Sequence, residues 1–363
     1  MQRKSGRVGL SVVGGLIKAT ILLTCCWICA LSSGAQSVSA GLQKEDPGPD
    51  SSYYKSFSGS IIPRVFLSRN VSELKFDPPG ALPTMKYHAN TPLNFGIGMA
   101  YRFISFSISK GIGFLQSDSK KGGTKSFDLQ THIYRRKWAF DALAQFYQGY
   151  YLDQPNLGPA EGRAYYLRPD MRLRMVGVTG YRIFNDRRFS YGSVLGQGGY
   201  QQRSAGSFML GGNAFYSAIN ADSALAPFKI DSNFSKDDIR KMHLLLVGVG
   251  AGYAYTYVYK RHFFLHGSVN ANLNLNFSRE IGDGIGSNKV GLSHNFIFRF
   301  GMGYNTYRWG VSLLWFTGGI NAVGEYTGYH YTQQTGSYRL VYVWRLPLNR
   351  HLRTMMQAGD AAH

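Results

Sequence analysis

Cysteine, acidic residues and long apolar runs are all scarce in this sequence. Its 363 residues include three cysteines, and 20 acidic residues stand against 40 lysines and arginines, giving a net charge of +20. No stretch after residue 40 approaches 18 consecutive apolar residues, which argues against a membrane-spanning helix there. Hydrophobic residues still make up 44% of the chain, so intrinsic disorder is excluded as well.

The first 40 residues are predicted to be a signal peptide. Basic residues precede an apolar stretch at 19–31, and small residues follow, with cleavage expected after Ala35 or Ala40. All three cysteines lie inside this segment, so the mature chain is expected to have no disulfide, thiolate nucleophile or cysteine metal site. An uncleaved anchor and a lipoprotein signal fit less well, because the apolar stretch is short and 22–25 (LLTC) departs from the lipoprotein pattern.

The body of the chain alternates with a period of two, which is typical of β-strands. In the clearest segment, 262–278, Asn270, Asn272, Asn274 and Asn276 alternate with apolar residues. Asparagines in such a row would be costly in a dry apolar core. We therefore expect that face to line a solvated or hydrogen-bonded interior.

Fourteen segments are candidate strands, and most are long enough to cross a bilayer, which takes about 9–11 residues of a tilted strand. Short polar turns alternate with long loops, and Tyr and Trp gather at strand ends, as in outer-membrane barrels. One segment between 184 and 242 breaks this alternation of turns and loops. The candidates are 57–68, 71–77, 92–102, 103–114, 122–134, 138–148, 168–183, 189–200, 206–220, 242–259, 262–278, 289–305, 309–325 and 336–346.

We predict an all-β fold, a transmembrane antiparallel up-and-down β-barrel of 12–14 strands behind an N-terminal signal peptide. The predicted organisation is a signal peptide at 1–40, a linker at 41–52, an outer-membrane β-barrel at 53–346 and a C-terminal tail at 347–363. A soluble secreted β-sandwich or barrel is the alternative. Strand length and the polar second face count against it.

Several segments together resemble an uncharacterised Bacteroidota family, classed as a domain of unknown function. They are 90–103 (NTPLNFGIGMAYRF), 124–138 (TKSFDLQTHIYRRKW), 149–152 (GYYL), 168–171 (RPDM) and 201–212 (QQRSAGSFMLGG). The resemblance covers roughly 53–346. It implies an exported outer-membrane β-barrel, and it implies no activity, ligand or catalytic residue.

Charged and amide side chains on the polar strand faces are candidates for the lining of the lumen. They could form a selectivity lining that favours small anionic solutes, or a structural network of ion pairs and hydrogen bonds. The candidates are Arg102, Arg172, Arg174, Arg299, Asp128, Asp141, Asn270, Asn272 and Asn274.

Basic residues also cluster at turns, where outer-membrane lipid and lipopolysaccharide phosphates are the expected partners. Barrel assembly machinery is a further expected partner. Nucleic acid is not, because the chain is exported and its aromatic residues lie on apolar faces. We expect no cofactor.

Sequence signals for catalysis are weak, because neither G-x-S-x-G nor H-E-x-x-H occurs. His132 with Asp128, and His294 on an apolar face, could act in catalysis, although a hydrogen-bonded and an interfacial histidine are the simpler interpretations. Passage of small solutes is the leading functional hypothesis. A structural or ligand- or partner-binding barrel acting through extracellular loops is the alternative, and a lipid-modifying enzyme is less favoured.

Overall fold

The structure, a computed structural model, describes residues 48–57, 59–80, 82–101, 104–112, 118–154, 165–226 and 239–347. Within these ranges lie a single turn of α-helix, α1 (Tyr191–Val194), and a 3-10 turn (Ser119–Lys121). The strands are β1 Tyr54–Ser56, β2 Ser60–Asp77, β3 Met85–His88, β4 Asn94–Tyr101, β5 Ile104–Gly111, β6 Lys125–Tyr134, β7 Trp138–Leu152, β8 Tyr166–Ile183, β9 Gly199–Gln201, β10 Ala205–Asn220, β11 Lys241–Tyr259, β12 Phe263–Gly282, β13 Ile285–Asn305, β14 Trp309–Val323, β15 His330–Trp344 and β16 Leu346–Pro347.

Four of the predictions fall wholly or mainly on residues outside those ranges. They concern the signal peptide, the linker, the C-terminal tail and Arg102. Over the ranges that are described, no helix has the length and apolar character needed to cross a membrane.

Ten antiparallel strands form a closed hydrogen-bonded ring. Its order is β2, β3, β7, β8 and then β10 to β15, and a β15–β2 ladder closes it. The predicted all-β antiparallel barrel is confirmed. The closed ring, however, has ten strands instead of the twelve to fourteen predicted.

Three further strands widen the wall between β2 and β7. β4 pairs with the first half of β2, β5 pairs with β4, and β6 pairs with β7. The short strand β3 joins β2 to β7 farther along, where Tyr87 pairs with Leu152. Among the described residues no hydrogen-bonded ladder joins β5 to β6. We call this line the β5–β6 seam.

Two of the fourteen candidates are not separate crossings, and the closed ring also leaves out the predicted strands β4, β5 and β6 and includes the unpredicted β3. Residues 57–68 and 71–77 belong to one strand, β2, and 189–200 contains α1 and the three-residue β9. Because 189–200 is not a full-length strand, short turns and long loops alternate regularly between 184 and 242 as well. β3 escaped prediction because four residues are too few to establish a period of two.

The outer face of the barrel is apolar. Val249, Leu292 and Phe208 are 71%, 73% and 70% exposed, and they alternate with inward side chains on their strands. Trp138 and Trp309 stand where strands leave short turns, the level at which aromatic girdles meet a membrane surface. A surface of this kind is solvated by lipid rather than by water.

Apolar side chains fill the half of the lumen nearer the long connections. Met171, Leu173 and Met175 of β8 belong there to one buried cluster with Ile219 and Leu244. The cluster is packed like the core of a soluble domain, because the opposite walls of a narrow barrel lie within side-chain reach. This half of the lumen is therefore not a water-filled pore.

The connection from β8 to β10 occupies the other half of the lumen. It carries α1, whose Tyr191 hydroxyl lies 2.9 Å from the Ser268 hydroxyl on the inner face of β12. β9 of this connection pairs with β1, from which the Tyr54 hydroxyl donates to the Asp186 carbonyl at 2.9 Å. Burial raises the pKa of Tyr54 to about 12, so this hydroxyl keeps its proton at neutral pH. The chain thus inserts its own segment into the barrel as a plug.

Glycines on β11 make room for the asparagines of β12. Gly250 pairs with Asn272, and a Cβ atom on Gly250 would lie 1.9 Å from Asn272 Oδ1. The asparagine side chains therefore lie across β11 and keep the lumen narrow. The same relation holds for Gly248 with Asn274 and for Gly252 with Asn270.

We expect Gly250→Val to destabilise the barrel by about 1–3 kcal/mol, because the new side chain must displace Asn272. Gly267→Val is the matched control, since a Cβ atom at Gly267 meets nothing within 4 Å. Urea unfolding in lipid vesicles, followed by tryptophan fluorescence, measures the difference. Equal unfolding midpoints for the two variants would contradict the packing of β11 against β12.

Candidate functional site

Asp141 is the centre of a polar cluster in the lumen. Its carboxylate accepts hydrogen bonds from His132 Nδ1 at 2.6 Å, from the Tyr134 hydroxyl at 2.7 Å and from Arg299 Nη2 at 2.5 Å. The side chains of Asp141 and Arg299 are only 14% and 5% exposed. A buried charge needs both an opposite charge and further hydrogen bonds, and this cluster supplies them.

The Asp141–Arg299 pair joins opposite walls of the barrel. Asp141 lies on β7 and Arg299 on β13, which are five steps apart in the order of hydrogen-bonded strands through β8, β10, β11 and β12. Ser217 on β10 makes a similar crossing, because its hydroxyl donates to Gln333 Oε1 on β15. At these levels the two walls bond directly, so no open column of water separates them.

His132 bonds to Asp141 and not to Asp128, the partner considered from sequence. The β6–β7 ladder places His132 directly opposite Asp141. Residues four apart in a strand are about 13 Å apart, beyond hydrogen-bond reach. Asp128 instead accepts from Gln145 Nε2 and from the Tyr147 hydroxyl, each at 2.9 Å.

The three predicted asparagines lie on the inner face of β12 and are buried. Asn272 Oδ1 accepts a hydrogen bond of 2.7 Å from the Tyr181 hydroxyl. Asn274 Nδ2 donates to Asn295 Oδ1 at 2.8 Å. Asn270 lies beside them without a hydrogen bond from its side-chain amide to any described residue.

Arg172 and Arg174 lie on the outer face of β8, so the prediction that they line the lumen was wrong. Arg174 is exposed, and Arg172 Nη2 lies 3.5 Å from Asp222 Oδ2. The prediction assumed that charged positions face inward, whereas here the inward positions belong to the apolar cluster. Long guanidinium side chains near a strand end can reach water or lipid head groups.

A cavity of about 90 Å³ adjoins the Asp141 cluster, and we call it the central cavity. Its polar lining includes His132, Asp141 and Arg299. A space of this size suits a molecule of a few heavy atoms rather than a drug-sized ligand. Its apolar lining includes Leu143, Met175, Phe215, Ile297, Phe316 and Ile320.

The β13–β14 ladder is interrupted beside this cavity. It runs from Asn305↔Gly310 to Ile297↔Gly318 and stops, although β13 begins at Ile285 and β14 continues to Val323. Residues 285–296 of β13 and 319–323 of β14 do not pair with each other, and we call this interruption the lateral gap. A groove of about 200 Å³ lies on the outer surface there. The groove and the central cavity share Asn295, Phe298, Thr317, Gly318, Gly319 and Ile320 as lining residues.

Sequence reasoning missed Tyr134 and the lateral gap. Tyr134 lies one alternation step beyond His132, so the period of two already placed both side chains on one face. Consecutive glycines in a strand, Gly318 and Gly319, are a signal for a local break in pairing.

Catalytic and metal chemistry find little support in the described part of the chain. No group of three His, Cys, Asp or Glu side chains there could hold a metal ion. His294 lines the groove and packs edge-to-face against Phe296, with ring centroids 5.8 Å apart. This contact is that of an aromatic side chain on an apolar face.

The apolar exterior, the closed antiparallel ring and the occupied lumen define a transmembrane β-barrel protein. A family model described as a domain of unknown function, DUF4421, matches residues 48–345, and the chain belongs to that family. No curated protein matches the chain.

Several solved outer-membrane proteins are similar in outline. The outer-membrane protease OmpT of Escherichia coli is 8% identical, with 79% of this chain and 97% of that chain covered and a TM-score of 0.39. An outer-membrane channel of Pseudomonas putida F1 is 11% identical, with 79% and 96% covered and a TM-score of 0.30. The toluene transporter TbuX of Ralstonia pickettii is 8% identical, with 78% and 89% covered and a TM-score of 0.28. Likeness of this degree assigns no activity to the chain.

We expect Asp141→Asn to destabilise the protein by about 3–5 kcal/mol, because Arg299 would remain buried without its counter-charge. Asp283→Asn is the matched control. Asp283 also bonds to an arginine, Arg240, but its side chain is 73% exposed, so the loss there should be about 0–1 kcal/mol. Urea unfolding in vesicles measures both, and similar losses would show that the Asp141 cluster is not the buried network described.

Proposed function

We propose that this protein is an outer-membrane β-barrel that binds a small, mainly apolar molecule inside a closed lumen, with access from the lipid through the lateral gap. The observation that carries this proposal is the pair of spaces on either side of the interrupted β13–β14 ladder. The central cavity and the outer groove share six lining residues there. A molecule dissolved in the membrane would meet the groove first and the cavity next.

The lining of the central cavity fits such a ligand. Most of its surface is apolar, and the hydrogen-bonded group of His132, Asp141 and Arg299 lies among its polar lining residues, which also include Asn295 and Gln333. Ligand sites commonly combine apolar walls with a few grouped polar atoms. Because Arg299 is already neutralised by Asp141, this polar group is better suited to accept a neutral hydrogen-bonding group than a strong acid.

Free passage of small solutes, the leading hypothesis from sequence, has less support. It required a water path past Arg102, Arg172, Arg174 and Arg299. Arg102 lies outside the described residues, Arg172 and Arg174 lie outside the lumen, and Arg299 is held in a cross-lumen ion pair. The apolar cluster and the inserted segment with α1 occupy the two halves of the barrel.

The proposed location rests on the apolar outer face and on the tryptophans at the strand ends. Lipid and lipopolysaccharide remain the proposed partners of that surface. Outward basic side chains lie on it near one end: Lys125, Arg172 and Arg174 line one groove with Phe127 and Phe146. Such a mixture fits the boundary between acyl chains and phosphate groups.

Fluorobenzene is a suitable probe of the central cavity, because it is small, apolar and visible by ¹⁹F NMR. In lipid nanodiscs holding the full chain we expect a saturable shift that empty nanodiscs lack. Gly318→Leu should abolish it, because Gly318 lines the cavity and a side chain there would extend beside Ile297, which also lines it. A Cβ atom at Gly318 meets its nearest neighbour at 3.6 Å, an ordinary contact, so the variant should fold.

Gly267→Leu is the control for this experiment, because Gly267 lies on the outer face of β12 with open space around it. It should bind fluorobenzene like the unmodified chain. A shift in heat-dependent migration on SDS gels checks that each variant is folded. Non-saturable partitioning equal to that of empty nanodiscs, or unchanged binding by Gly318→Leu, would overturn the proposal.

A further inference from the structure

A second cavity, of about 50 Å³, lies between β2, β5, β6, β15 and the inserted segment at 195–197. We call it the basic cavity. It adjoins the β5–β6 seam, and it shares Gln130, His132 and Phe316 with the central cavity. Its lining is mainly polar, whereas that of the central cavity is mainly apolar.

Two arginines line the basic cavity, and neither forms a salt bridge with a described carboxylate. Arg64 is 8% exposed, and its best polar contact is a 3.5 Å hydrogen bond from Nη2 to the Gly196 carbonyl. Arg339 stacks over the Phe66 ring at 5.1 Å. Over the described ranges, neither guanidinium lies within 4.0 Å of a carboxylate, and the Nε atoms of both have no hydrogen-bond partner.

Of the described side chains that line this cavity, Asp128 supplies the one carboxylate. It accepts hydrogen bonds from Gln145 and Tyr147 and compensates part of the charge of Arg339, so the two guanidinium groups still outnumber it. The cavity therefore has an excess of positive charge. Positive charge buried in a protein is costly unless an anion compensates it.

Gln197 gives an independent indication of a ligand. It is 1% exposed, it lines the basic cavity, and neither its Oε1 nor its Nε2 atom has a hydrogen-bond partner among the described residues. Its backbone has a φ of 57°, a left-handed conformation that a non-glycine residue adopts only where its surroundings impose it. An amide held in this way and left without partners is arranged for a group that the chain itself does not supply.

Hydroxyl groups complete the lining. Ser105, Ser107 and Ser109 alternate along β5 and all face the cavity. Serine hydroxyls, an amide N–H and guanidinium N–H groups are donors that oxyanions accept from. Guanidinium groups also match the geometry of phosphate and sulfate oxygens.

We infer that the basic cavity binds a small oxyanion of the phosphate or sulfate class. Arg64 and Arg339 supply the charge, and Gln197 and the β5 serines supply further donors. A volume of about 50 Å³ fits such an ion and leaves no room for a lipid with its acyl chains. The site is distinct from the apolar site proposed above, and neither requires the other.

Titration calorimetry of the full chain in a non-ionic detergent tests the inference, with inorganic phosphate, sulfate and acetate as separate probes in a buffer of low ionic strength. We expect saturable one-site binding of phosphate or sulfate and weaker binding of acetate. Arg64→Gln and Arg339→Gln should each weaken binding about tenfold or more. Arg69→Gln is the matched control, because Arg69 is exposed on the outer face of the same strand, and it should bind like the unmodified chain.

Gln197→Gly keeps the test decisive if an arginine variant fails to fold. Glycine adopts a positive φ without strain, so the variant should unfold at the same temperature or higher, while its affinity for phosphate falls. Absence of saturable binding by the unmodified chain would overturn the inference. Equal affinity in the Arg64, Arg339 and Arg69 variants would overturn it as well, since that result would indicate an adventitious surface ion.

Discussion

The structure depends on the ion pair between Asp141 and Arg299, which crosses the lumen from one wall to the other. Two charges so deeply buried are tolerated only because the walls are close enough for direct contact and because His132 and Tyr134 add hydrogen bonds. Direct contact across the lumen needs a barrel of small diameter, and β7 and β13 meet that condition here. Such contact also requires the glycines of β11, on which the asparagines of β12 lie. A narrow lumen of this kind is filled by side chains, so the interior behaves as a core with a few small cavities.

The two irregular places in the wall both adjoin cavities. A barrel in lipid is expected to satisfy its backbone hydrogen bonds around the whole ring. Here the β13–β14 ladder stops at Ile297↔Gly318, next to the central cavity, and the β5–β6 seam lies next to the basic cavity. Interrupted pairing costs stability unless other groups or a ligand compensate. Both interruptions lie beside cavities. This placement is the feature that most distinguishes the barrel from one with uninterrupted strand pairing and a purely structural role.

Much of the fold follows from the period of two. Strand β12 is the best example, since its apolar residues face outward and its asparagines face inward as predicted. The same rule failed for Arg172 and Arg174, because alternation identifies two faces without saying which one is inside. It assumes a polar lumen, and in that half of the barrel the lumen is apolar. Asp141 and Arg299 were both predicted as lining residues, but their pairing depends on a contact across the barrel that no local pattern encodes. Nothing in the sequence pointed to Gln197. It lies in 189–200, whose sequence pattern resembles that of a strand although the segment contains α1 and the three-residue β9.

The central claim is that the lumen is closed, and planar-bilayer recording of the refolded protein tests it most directly. The barrel should insert without producing a steady conductance above that of the bare membrane, in either potassium chloride or potassium phosphate. Its insertion is verified independently by heat-dependent migration on SDS gels. A stable ohmic current that scales with the number of inserted barrels would contradict the account, because it would require a continuous water path past the Asp141–Arg299 pair.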